Sequence, residues 1–175
     1  MMLNENWQDQ HARLSRSHHR LQDALAKRTE PEDINYEPLD VLYHFCCDAF
    51  HLRDWIRADL PQHENDLQTL FQSSTALSAC ADIANGSKHL KLTGTPHTPG
   101  GHAVVAQKGT VITPGPAHLY LLSGDTPPPE PTEEVGTTQT TFKIDAGQNG
   151  TFDALELASQ AVNDWDNWLN ARGLL

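Results

Sequence analysis

The chain has 175 residues, room for one ordinary domain whose core needs no disulfide or metal staple. Its 12 Lys+Arg against 23 Asp+Glu leave a formal charge of −11, which opposes non-specific adhesion to nucleic acid or anionic membrane, so a polyanion would need a local basic site. No apolar run approaches the about 20 residues of a membrane span, and the start MMLNENWQDQ lacks the basic and apolar regions of a signal peptide; a single cytoplasmic domain over residues 1–175, with no membrane association, is expected.

The first predicted helix covers about residues 4–28. Trp7, Leu14 and Leu21 recur at heptad spacing, with His11, His18 and Leu25 four residues after each. Two histidines in that stripe make the face only partly apolar, so this helix is expected to meet a protein partner or a wet groove. Pro31 and Pro38 bracket an irregular link. The second helix, about residues 39–60, ends before Pro61 and carries an apolar stripe of Leu42, Phe45, Cys46, Ala49, Leu52, Ile56 and Leu60. The third, about residues 64–90, turns Leu67, Leu70, Phe71, Ser74, Leu77, Ala81 and Ala84 inward. Gly86 inside it costs up to about 1 kcal/mol relative to Ala, which predicts a distorted or closely approached turn.

After Leu92 the composition changes to a turn-rich stretch, TGTPHTPGG. HAVVAQKGTVIT, AHLYLLSG and TTQTTFKIDAG then alternate or are β-branched between Gly and Pro, which predicts three short strands in a β insertion over about residues 102–146. The acidic, proline-rich GDTPPPEPTEEVG, residues 124–136, reads as a mobile loop within it. A last helix over about residues 151–171 has Leu155, Ala158, Val162, Trp165 and Leu169 in register beside Ala161 and Trp168. The expected fold is mainly α: a four-helix bundle with a small antiparallel β insertion between the third and last helices.

Chemistry concentrates in ADIANGSKHLKL, residues 81–92. Asp82, Asn85 and His89 stand at i, i+3 and i+7 on one helical face, with Lys88 on its flank. A carboxylate, an amide, an ammonium and an imidazole together suit proton transfer on an anionic substrate. In that reading His89 is the acid/base, Lys88 stabilises charge, and Asn85 and Asp82 orient; Arg53 and Lys91 supply further cations for substrate. The bland alternative gives Asp82 and Asn85 local hydrogen bonds and makes His89 a cap at the helix C-terminus, where a cation is favoured.

The second helix also places His44, Asp48 and His51 at i, i+4 and i+7. Those are donors for a divalent transition metal if Asp82 or His89 faces them, and otherwise ordinary amphipathic interface residues. No motif calls for a cofactor. Cys46, Cys47 and Cys80 read as reduced core thiols, since no zinc-type spacing is present. His63, His97, His102 and His118 are scattered over loops and strand ends, where surface placement is expected. TGTPHTPGGH is not followed by the helix that a phosphate-cradling loop requires, and no serine or cysteine sits in a nucleophile elbow.

ANGSKH, Ala84 to His89, is similar to the RNxxxH motif of the HEPN superfamily of small helical domains, many of them metal-independent RNases of bacterial defence and toxin systems. Asn85 and His89 match the motif's polar residue and histidine, and Ala84 stands where the motif has arginine. Lys88 is then the candidate replacement cation, although an ammonium lacks the planar fork of a guanidinium. The resemblance spans the predicted helices and not the inserted strands. It implies a homodimer whose paired motif histidines line a shared cleft, and an attack of an RNA 2′-hydroxyl on the adjacent phosphate. HLRDWI followed by DIANGSKHLKL is also similar to a pairing in a group of uncharacterised bacterial proteins. The sequence thus leads to a ribonuclease or RNA-targeting protein. A non-catalytic helical interaction module and a helical metal-binding protein are the alternatives.

Overall fold

A computed structural model describes residues 4–26, 28–29, 37–89, 92–114 and 136–175. Among these the protein is mainly helical, with five α-helices: α1 Trp7–Leu25, α2 Pro38–Asp59, α3 Glu64–Ser73, α4 Thr75–Lys88 and α5 Ala154–Asn170. A small antiparallel sheet lies between α4 and α5 in the sequence, with one short strand contributed from before α2.

α1 starts where Asn6 and Asp9 close a capping box: Asn6 Oδ1 accepts from the Gln8 and Asp9 amides, and Asp9 Oδ2 accepts from the Asn6 amide. It runs along α2 in the opposite direction, because Asp59 at the far end of α2 accepts from the Trp7 amide at 2.8 Å while Gln10 and Ser17 both reach Asp48 in its middle. The predicted stripe of α2 is buried from Leu42 through Ile56, and Leu60 is partly buried. Each fully buried Leu, Ile or Phe of this kind contributes about 1.5–3 kcal/mol relative to exposure.

The histidine seam of α1, expected to meet a protein partner or a wet groove, lies against α5: His11 Nε2 lies 2.8 Å from Asp166 and His18 Nε2 lies 3.2 Å from Ser159 Oγ.

The single third helix expected over residues 64–90 is two helices. Ser74 has extended backbone, φ −92° and ψ 112°, and its hydroxyl accepts from the Leu77 amide at 3.0 Å to cap α4. The same hydroxyl donates to Asp164 of α5, so the break is pinned by a tertiary contact. Inward-facing residues continue in phase on both sides of the break, from Leu67 and Phe71 to Leu77 and Ala81. The first helix also ends earlier than expected, at Leu25, and the last begins later, at Ala154, where Asp153 accepts from the Leu155 amide as its cap. Trp165 of α5 occupies the centre of the bundle: it is fully buried, donates from Nε1 to the Ala49 carbonyl at 3.0 Å, and meets Phe71 edge-on.

The sheet is built on β3, Thr137–Asp145, with β2, Val104–Thr113, along one edge. β1, Arg28–Thr29, and β4, Thr151–Asp153, share the other edge at its two ends. Two of the three expected strands are therefore present. AHLYLLSG and nearly all of the expected mobile loop, residues 124–135, lie outside the described residues. β3 alternates as a half-buried strand should, with Phe142 and Ile144 in the core. β2 leaves Val111 and Ile112 exposed at 59% and 70%. A bulge at Ala106 shifts its register between Val105 and Gln107.

Candidate functional site

Asp82 lies in the buried stretch Ala76–Ala84 of α4, 1% exposed, in the midst of Ala81, Ile83 and Ala84. A carboxylate there requires partners, and it finds them in the loop that follows α4. Oδ1 accepts from the His97 amide at 2.8 Å and lies 3.4 Å from His102 Nδ1. Oδ2 accepts from the Thr98 amide at 2.9 Å and the Ala103 amide at 3.1 Å. Burial pushes this carboxyl up, but the hydrogen bonds from His97, Thr98 and Ala103 outweigh it and hold the group below the ordinary aspartate range. Asp82 is thus the ionised anchor of residues 97–103. A second tether runs from the Gln148 amide to the Pro99 carbonyl at 3.0 Å. Gly147 allows that approach, because it has φ +58° and a Cβ there would stand 2.7 Å from the Pro99 oxygen.

The anchored loop separates two recesses. On one side a pocket of about 250 Å³ is lined by Asn85, His89, Thr93, Thr95 and His102. Asn85 is partly buried, and His89, just past the end of α4, is exposed with extended backbone, φ −128° and ψ 125°. The expected helical relation of His89 to Asp82 is therefore absent: the two share a neighbourhood through His102 rather than through a helix face. On the other side a cleft of about 350 Å³ is lined by Arg53, Arg57, Gln68, Phe71 and His97 among others.

Arg53 belongs to that second cleft. Its guanidinium lies over the Phe50 ring at 4.4 Å and the Phe71 ring at 5.3 Å, and pairs with Asp54 at 3.3 Å. His97 meets the same two rings edge-on, at 5.5 and 6.4 Å between centroids. Burial lowers its pKa; Asp82 opposes the shift, while Arg53 and His102 reinforce it. His97 and His102 are thus drawn in against Asp82, contrary to the surface placement expected of them. His118 is outside the described residues.

Lys88 is turned to α2, where Nζ lies 3.5 Å from His51 Nε2, and it does not line the pocket with Asn85 and His89. Lys91 lies outside the described residues. The His44, Asp48 and His51 row does not converge. His44 is exposed, Asp48 accepts from Ser17 and Gln10 of α1, and His51 faces Lys88. Among the described residues no group of three His, Cys, Asp or Glu stands close enough together to hold a metal ion. Cys46 and Cys80 are buried and Cys47 partly so, all as free thiols; the contact with Cys80, together with burial, pushes the Cys46 thiol well above its usual range. No described helix is long and apolar enough to cross a membrane.

The residue that sequence reasoning missed is His102. One signal for it was present: an aspartate inside the largely apolar run Ala76–Ala84 must be satisfied, and TPHTPGGHA, rich in turn residues, is the nearest supply of unpaired backbone donors. Compared with known proteins, the chain matches no family model, no curated protein and no solved structure.

Proposed function

We propose that this protein is a metal-independent ribonuclease of HEPN-like type, acting in a bacterial defence or toxin setting, and that RNA is cleaved at the pocket beyond the end of α4. The observation that carries the reading is the shared lining of that pocket by Asn85, His89 and His102, the last bonded to the buried Asp82. Two imidazoles and an amide at the rim of one open recess are the equipment for moving protons around a phosphodiester, and they include both motif positions that the chain retains.

The motif's missing arginine alters the chemistry of the proposal. Ala84 is fully buried, and Lys88 is engaged with His51, so neither brings a fixed cation to the pocket. The groups that line the pocket among the described residues offer proton transfer and positioning by Asn85. Arg53, placed in the other cleft and paired with Asp54, does not contact a phosphate held between His89 and His102. In the homodimer that the resemblance implies, two such pockets face one cleft.

The test is cleavage of a mixed RNA pool by the purified protein and by His89→Ala, each with EDTA. The expected result is EDTA-resistant cleavage that falls by about 10²–10⁴ in the variant, the span of a lost acid/base group, with an unchanged circular dichroism spectrum. RNA left intact by the folded wild type refutes the reading and turns attention to a non-catalytic role for the same loop.

A further inference from the structure

We propose that His102 is the general base of the cleavage step and His89 its general acid, an assignment that rests on the ribonuclease reading above. The geometry distinguishes the two imidazoles. His102 Nδ1 lies on Asp82 Oδ1, and because that carboxylate is held ionised, Nδ1 carries the proton it donates. In the neutral ring this leaves the lone pair on Nε2, and His102 itself forms part of the pocket lining. A carboxylate behind an imidazole fixes its tautomer and stabilises the cation that forms when Nε2 takes a proton. Among the described residues no carboxylate backs His89 in this way. His89 stands at the C-terminal end of α4, where the unpaired helix carbonyls accommodate a positively charged donor.

The step balances without any further reactant. The ribose 2′-hydroxyl gives its proton to His102 Nε2 as the 2′-oxygen bonds to phosphorus. The bond from phosphorus to the 5′-oxygen breaks, and the leaving oxygen takes the proton of the His89 imidazolium. The products are a 2′,3′-cyclic phosphate and a 5′-hydroxyl. Asp82 touches neither substrate nor reacting atom and is a positioning residue: it holds the His97, Thr98 and Ala103 amides as well as His102, so the base is set by the same contact that closes the loop.

The experiment compares two RNA substrates, one ordinary and one with sulfur replacing the bridging 5′-oxygen at a single linkage. A thiolate leaves without protonation, so loss of the acid is rescued by sulfur and loss of the base is not. His89→Ala is expected to lose about 100-fold or more on ordinary RNA and to return to within about tenfold of wild type on the sulfur substrate. His102→Asn, whose amide keeps a donor toward Asp82, is expected to lose about 100-fold or more on both substrates, and His102→Gln to do the same. Wild-type rates in either folded His102 variant, or rescue of that variant by sulfur, overturn the assignment while leaving the ribonuclease reading intact. Wild type inert on both substrates overturns the two together.

Discussion

Replacing Asp82 by Asn turns one of its two oxygens into an amide nitrogen. Whichever oxygen is lost, two donors lose their acceptor: the His97 amide and His102 Nδ1 on one side, or the Thr98 and Ala103 amides on the other. A buried donor left unpaired costs about 1–3 kcal/mol, so the substitution is expected to cost roughly 2–6 kcal/mol, a large share of the about 5–15 kcal/mol that holds a domain together. Urea unfolding at pH 7 should therefore show a much lower midpoint. A second arm fixes the cause. Because the carboxyl of Asp82 is held below its unfolded value, its contribution is complete above the unfolded pKa of about 4 and is lost as pH falls through the folded pKa. The gap between wild type and Asp82→Asn should thus close as pH falls below about 4. A variant within about 0.5 kcal/mol of wild type at pH 7, or a gap that does not change toward pH 3, would refute the view that the ionised carboxylate organises this loop.

Two further outcomes follow from the same contacts. Burial lowers the pKa of His97 and also that of His18, the latter with help from His19, so between pH 7.5 and 5.5 the unfolded chain takes up protons before the native one does. Stability is expected to fall on acidification through about pH 6.5, and less steeply in His97→Gln; identical slopes in a urea midpoint series would remove His97 as a cause. Ser74→Ala removes both the cap of α4 and the donor to Asp164, and should cost about 1–2 kcal/mol in urea unfolding. Restoration by Ser74→Thr but not by Ser74→Gly would show that the shared hydroxyl, rather than backbone geometry, sustains the break between α3 and α4.

Much of the fold was legible because helical periodicity is a local property. The apolar stripes of α2 and α5 and the alternation of β3 can be read within a window of a few turns. The break at Ser74 escaped because the buried positions stay in phase across it, and only the bond to Asp164 shows that the chain prefers an extended residue there. The histidines of α1 show a related limit. An imidazole in an apolar stripe signals a polar partner, and whether that partner is another molecule or α5 depends on where Asp166 and Ser159 arrive in space.

The candidate site divides in the same way. Sequence by itself determined that α4 ends in a cluster of polar groups, with Asn85 and His89 near its end, because residue identity and spacing are written along one segment. Tertiary structure alone decided that Asp82 is an anchor and that Lys88 turns away to His51. It also decided that Arg53 serves another cleft and that His102 returns to the pocket from twenty residues beyond Asp82. Those choices rest on closing a loop: a buried carboxylate must collect donors wherever the chain can bring them, and no periodic pattern encodes which residues of an irregular segment will arrive.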